Sequence, residues 1–168
     1  MHHYTLCLIK RKEELLLLNR RKKPAMGMWN GVGGKVEKGE SPLNCVIRET
    51  LEETGIHLDE PLYVGNAVFK MGNKIEKLYL FMAELPEDTA FHTPMYTEEG
   101  ILDWKPVSWV LDHDNLGIIN NLKCYLPKLL NGEFGLEHSF IYEDHRITEY
   151  RTNRITEVEV HRAHLMRF

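Results

Sequence analysis

The chain is short of the residues that mark several protein classes. Its three cysteines, Cys7, Cys45 and Cys124, are odd in number and far apart in 168 residues. They form neither a disulfide framework nor a zinc-ligand spacing, which fits a reducing compartment, and the expected location is the cytoplasm. No apolar run is long. Leu15 to Leu18 is the densest, and a bilayer-spanning helix takes about 20 residues, so no membrane partner is expected. The opening MHHYTLCLIK has too short an apolar stretch for a secretory leader and meets Lys10, Arg11 and Lys12 at once. Positive charge is not in excess: 21 Lys and Arg against 25 Asp and Glu give a net charge of −4. Nothing therefore draws nucleic acid or anionic lipid to the surface as a whole. The nine histidines are scattered without a metal-ligand spacing. Repeats, low-complexity tracts and linkers are missing too, and no protein partner can be inferred.

What is present is ordinary globular material with one unusual segment. Hydrophobic content of 43% and charged content of 27% suit a soluble chain. The length predicts one domain over residues 1–168, with a less regular C-terminal hairpin and tail from about 131. The unusual segment is GKVEKGESPLNCVIRETLEETGI, Gly34 to Ile56. Ser41 is a good N-cap, Pro42 suits the first helical turn, and Gly55 is placed for a left-handed C-terminal cap, so a helix is expected from Pro42 to about Thr54. Leu43, Val46, Ile47, Thr50 and Leu51 are expected to face the core. Glu49, Glu52 and Glu53 lie at i, i+3 and i+4 and share the other face. Stacked like charges destabilise a solvated helix, so a divalent cation is expected to neutralise them. Carboxylate oxygens suit magnesium or manganese, and magnesium commonly adds substrate phosphates to its ligand set. A solvated acidic face is the plain alternative.

This segment resembles the Nudix box, G-x5-E-x7-R-E-U-x-E-E-x-G-U with U aliphatic. Gly34, Glu40, Arg48, Glu49, Glu52, Glu53, Gly55 and Ile56 occupy its fixed positions. Thr50 departs from the first aliphatic position; its methyl can face the core while its hydroxyl bonds the preceding turn. The resemblance implies an α+β fold, an α/β/α sandwich with a mixed sheet and one central motif helix. It implies hydrolysis of phosphoanhydride bonds in nucleoside diphosphate-linked compounds. It also implies metal ligands from Glu49, Glu53, the Gly34 carbonyl and Glu99, which follows Glu98 in a later loop. Glu52 or Glu53 would act as general base. Arg48 is expected to orient Glu40 or Glu52 through an ion pair.

The similarity runs from about residue 4 to 110 and favours the MutT-like, nucleotide-pool-cleaning purine nucleoside triphosphatases, which yield nucleoside monophosphate and pyrophosphate. In WNGVGGK, Val32-Gly33-Gly34 stands where many family members have Pro-Gly-Gly. Asn30 aligns with a purine-reading asparagine, although Asn-Gly is also a common turn pair. Phe69 aligns with an aromatic wall of the base pocket, or is plain core. Arg20, first in the basic run to Lys23, and Lys35 are candidates for phosphate contact. A pair of adjacent aspartates in those relatives has no match in DHDNLGII, where Asp112 and Asp114 are spaced differently. Removal of pyrophosphate from an RNA 5′ end is the alternative activity. A catalytically inactive ligand sensor is the second alternative, and its mark would be loss of the box glutamates, all of which are present.

Outside the box, strands are expected at Tyr4–Ile9, Leu15–Asn19, Leu62–Lys70, Ile75–Ala83 and Ile101–Trp109, the last interrupted by Pro106. A helix is expected over Asn115–Leu130, kinked at Pro127. A hairpin follows at Phe134–Tyr142 and Arg146–Arg151. Residues 152–168 are polar and fit no clear pattern.

Overall fold

A computed structural model describes residues 1–165. Its strands are β1 (His2–Arg11), β2 (Glu14–Arg20), β3 (Trp29–Asn30), β4 (Leu62–Met71), β5 (Lys74–Glu84), β6 (Met95–Tyr96), β7 (Gly100–Pro106), β8 (Leu136–Glu143) and β9 (Arg146–Arg154). Its helices are α1 (Pro42–Thr54), α2 (Val107–Leu111), α3 (Leu122–Leu130) and α4 (Glu157–Leu165). The strands form one mixed sheet in the order β6-β7-β2-β1-β5-β4-β8-β9, with β3 added to β2. The β1–β5 and β4–β8 pairs are parallel and the others antiparallel.

Alternation along the strands explains the layers. Leu6, Leu8, Leu15 and Leu17 face one side, where Leu122, Tyr125, Leu126 and Leu129 of α3 cover them. Cys7, Ile9, Leu16 and Leu18 face the other, with Val46 of α1 and Ala163 of α4. Leu15 to Leu18 is unbroken because β2 is covered on both faces, the condition under which strands lose their polar alternation. The result is the expected α/β/α sandwich.

Three boundaries differ from expectation. The strand after Glu99 stops at Pro106, and Trp109 lies in α2. Proline ends the ladder by removing a donor and opens the helix instead. The expected long helix from Asn115 shrinks to α3, because residues 115–121 form turns and one bridge from Ile118 to Trp29. Apolar spacing alone cannot separate a helix from such a loop. The last strand runs on to Arg154, and α4 then docks beside α1. Lys77 ties it down by bonding Glu159 at 2.9 Å and Glu137 at 3.3 Å. No helix among the described residues is long and apolar enough to cross a membrane.

Candidate active site

The motif helix begins and ends as its sequence requires. The Ser41 side chain accepts from the Asn44 N–H at 3.2 Å, and Gly55, at φ 76°, donates to the Leu51 carbonyl. The buried stripe of α1 is Pro42, Cys45, Val46, Thr50 and Thr54. At 100° per residue, Glu49 and Glu53 fall inside that stripe, Glu52 at its edge and Leu51 opposite. Two expectations are corrected here. Leu51 faces solvent at 44% exposure rather than the core. Thr50 is buried, yet its hydroxyl has no partner, so it does not bond the preceding turn. The acidic face is not a solvated one: Glu49 is mostly covered, while Glu52 is 60% exposed.

The glycine-rich strand before α1 lies against β1, with Thr5 N–H donating to the Gly34 carbonyl at 2.8 Å. A Cβ on Gly34 would land on the Glu49 carboxylate, which explains glycine at this position. The expected metal ligand at Gly34 is thus a carbonyl already engaged by the sheet. Its neighbour Gly33 donates its N–H to Glu53 Oε2 at 2.9 Å, while its carbonyl has no hydrogen bond among the described residues. Residues alternate along an extended strand, so Gly33 and Gly34 turn their carbonyls to opposite sides.

Arg48 is the organising cation. It donates to Glu40 at 2.8 and 2.9 Å, to Glu49 at 2.8 Å and more distantly to Glu52 at 3.3 Å. These bonds hold the Glu40 carboxyl below its usual range. Burial raises Glu49 above its usual value, against the pull of Arg48. Glu53 is pushed up to about 7, first by burial and then by the nearby charges of Glu49 and Glu99. Buried carboxylates crowded in this way favour either a proton or a cation.

The helix carboxylates line a cleft of about 560 Å³. Glu49, Glu52, Glu53, Glu98 and Glu99 stand on its walls with Gly33, Gly34, Arg20, Lys35 and Asn30. Lys22 pairs with Glu99 at 3.2 Å, and Arg20 Nε donates to the Pro24 carbonyl at 3.0 Å. Lys35 is exposed at the rim. The box carboxylates do not all close to within 4.8 Å of one another; among the described residues only Asp112, His113 and Asp114 do, and they are exposed. Mutual repulsion and the pull of Arg48 and Lys22 account for that spread. The donor set of carboxylate oxygens plus one unbonded carbonyl fits a hard divalent cation.

Asn30 and Leu78 also line a second, more apolar cavity of about 660 Å³, so the two adjoin across these residues. Phe69 belongs to this second cavity, stacked on Phe140 at 5.4 Å and edge-on to Tyr142 at 6.3 Å. Asn30 Oδ1 accepts from the Gly31 N–H at 2.9 Å, the turn bond, while its amide NH2 has no protein acceptor among the described residues. The turn and base-reading roles are therefore compatible. Sequence reasoning missed Asn120 and Asn121. Both line the cavity, and Tyr142 joins them, accepting from Asn121 Nδ2 at 3.1 Å and donating to Asn120 Oδ1 at 2.9 Å. That leaves donors on Asn120 and an acceptor on Asn121. Asp112 and Asp114 do not line the cavity. The available signal was the adjacent asparagine pair just before α3, obscured by the expectation of an unbroken helix there.

A mixed sheet between helices, with a carboxylate-lined cleft on the motif helix, defines a phosphoanhydride hydrolase of the Nudix type. The sequence model of the NUDIX domain matches residues 1–123, and the chain belongs to that family. It is 31% identical over 144 residues to the uncharacterized Nudix hydrolase YvcI of Bacillus subtilis, spanning 84% of this chain and 87% of that protein. It is 34% identical over 103 residues to the oxidized purine nucleoside triphosphate hydrolase of Mus musculus, covering 60% of this chain and 64% of the mouse protein. Among solved structures, the mutator MutT protein from Bacillus halodurans superposes with a TM-score of 0.77 at 28% identity, over 91% of this chain and 98% of that one.

Proposed function

We propose that the chain is a magnesium- or manganese-dependent pyrophosphohydrolase that converts purine nucleoside triphosphates to nucleoside monophosphate and pyrophosphate. One observation carries this reading: the carboxylate-lined cleft adjoins, across Asn30 and Leu78, an aromatic cavity with free amide donors and an acceptor. A polyphosphate with a base at one end has that shape and that polarity. The purine branch is further supported by the likeness to the mouse oxidized purine nucleoside triphosphate hydrolase.

In this reading Glu49, Glu53 and Glu99 hold the cation, and the carbonyl ligand comes from Gly33 rather than Gly34. A cation held there would supply charge to offset the phosphates and to make an attacking water more acidic. Arg48 fixes Glu49 and Glu40 so that the cradle keeps its shape. Either Glu52 or Glu53 takes the proton of the attacking water. Glu52, exposed and held by one long bond, is free to turn toward the cleft. Arg20 and Lys35 offset charge on the leaving phosphates. Phe69 supplies a stacking wall, and Asn30, Asn120 and Asn121 face the base edge.

The RNA 5′-end reading is weaker, because Lys22 of the basic loop is committed to Glu99 and the chain as a whole is acidic. A screen of nucleoside triphosphates and 5′-triphosphate RNA with magnesium and manganese, scoring products, tests the assignment. Faster turnover of the RNA than of any triphosphate would replace this reading with that one.

A further inference from the structure

The two edges of the sheet are unlike. At one end β6 has two residues; at the other β9 runs for nine, Arg146 to Arg154. A long open edge offers a row of backbone N–H and C=O groups to another strand, and folds commonly shorten or cover it. Here β9 is neither short nor covered. Apart from its ladder with β8, its backbone makes no hydrogen bond among the described residues. The chain beyond it turns to α4, which packs on α1 and β4 instead. Two further features meet at Tyr150. On the α3 face, Phe69, Phe140 and Tyr150 are register partners on β4, β8 and β9. Their rings stack in a row, with 5.4 Å and 4.9 Å between successive centroids. The row starts at Phe69 in the aromatic cavity and stops at the open edge with Tyr150. On the opposite face, Glu149 and Arg151 flank Tyr150 with opposite charges, bonded to each other at 2.9 Å and both exposed.

We propose that β9 is an interface with a second copy of this chain, whose own β9 pairs antiparallel to it about a two-fold axis at Tyr150. In that register Tyr150 meets its counterpart, Glu149 lies opposite Arg151 of the second copy, and Arg151 opposite Glu149. Two unlike charge pairs then close one face and an aromatic pair the other, and both kinds of pair stabilise adjacent strands. The neighbouring registers are worse. Centring on Arg151 sets two guanidinium groups directly opposite, and centring on Glu149 sets two carboxylates so. Charge and the aromatic row therefore select the same centre independently. The contact is isologous and closes at two copies, which uses up the edge. The aromatic row then runs from one Phe69 to the other and joins the walls of the two aromatic cavities. An extended segment of another protein would gain the same backbone bonds without the matched charges and rings. Thr148 falls outside the register with β8, a bulge that shortens the shared ladder, so association in the micromolar range is expected.

Sedimentation equilibrium of the full chain from about 1 to 200 µM provides the test. The wild type should pass from monomer to dimer over this range. Glu149→Arg brings four arginines together and should weaken association by about tenfold or more. Combining Glu149→Arg with Arg151→Glu remakes both unlike pairs and should return the wild-type constant. Both side chains are exposed, so circular dichroism and the melting of dilute protein should agree across the three proteins. Hydrogen exchange should slow at the β9 amides as concentration rises, and not at β6. A wild type that stays monomeric throughout, or a dimer that ignores Glu149→Arg, overturns the interface. So does a double variant that remains monomeric, or a dimer whose β9 amides exchange as fast as in the monomer.

Discussion

The two main parts of the cleft are assembled on different principles. At the carboxylate end, Gly33, Gly34, Lys35, Glu49, Glu52 and Glu53 come from one continuous stretch of strand, turn and helix, and the other charged groups, Arg20, Glu98 and Glu99, arrive from elsewhere. At the aromatic end, Asn30, Phe69, the pair Asn120 and Asn121, and Tyr142 come from four separate places in the chain. The first end is built by local helix geometry, the second by sheet order and the path of the 115–121 loop. Cation chemistry needs fixed carboxylate spacing, which a helix supplies by itself. Base selectivity needs a wall, an edge reader and a mouth, which no single element presents.

The largest effect should come from breaking the carboxylate end. Glu53→Gln removes a buried carboxylate that is a proposed cation ligand and a candidate base, and kcat should fall by about 10²- to 10⁴-fold. Steady-state kinetics at saturating magnesium check this, and near-wild-type turnover would remove Glu53 from the chemistry. A chelator should abolish activity, and restored magnesium should return it.

Magnesium should also stabilise the fold, because it relieves repulsion among buried carboxylates. At about 100 times its Kd, an ion that binds only the native state adds about 2.7 kcal/mol. Thermal melts should therefore rise with magnesium in the wild type and much less in Glu49→Gln. An equal rise in both would show that the ion binds elsewhere.

At the aromatic end the effects should be smaller and confined to selectivity. Asn121→Ala leaves the Tyr142 hydroxyl without its donor and removes a free acceptor. It should cost roughly 1–3 kcal/mol in kcat/KM for purine substrates, with metal dependence intact. Asn30→Ala should cost less, since half of its amide already serves the turn at Gly31. Ratios of purine to pyrimidine kcat/KM for both variants, read beside their melting temperatures, sharpen the comparison. Unchanged ratios would limit both residues to structural roles.

The last expected signal is a pH dependence of the metal-free protein. Burial pushes the Glu53 carboxyl from 4.5 up to about 7, so the folded state holds a proton that the unfolded chain releases. The stability this contributes is full below pH 4.5 and is lost as pH rises through about 7. His138 acts in the opposite direction. Buried and bonded to the Tyr150 hydroxyl at 2.8 Å, it is pushed down to about 4, and its contribution is lost as pH falls from 6.5 through that value. Glu53→Gln isolates the first effect because glutamine mimics the protonated acid. In chelator, the variant should match the wild type near pH 4 and melt higher near about pH 8. Parallel curves would place the Glu53 charge outside the cleft.

Legibility in the sequence follows the same division. The caps at Ser41 and Gly55, the helix between them and the acidic spacing are local, and each was readable from a few neighbouring residues. The sandwich was readable because the leucine runs and the motif helix obey simple periods. The direction of the Gly34 carbonyl was not readable because pairing with β1, not spacing, decides which way a strand carbonyl points. Asn120 and Asn121 were not readable because apolar spacing over 115–130 mimics a helix, and their meaning depends on Tyr142 from a distant strand.

The most direct measurement is product analysis of a purine nucleoside triphosphate incubated with protein and magnesium. The two-ended cleft predicts nucleoside monophosphate and pyrophosphate in equal amounts, with no turnover in chelator and almost none in Glu53→Gln. Release of nucleoside diphosphate and orthophosphate, or the absence of any metal-dependent turnover, would contradict it.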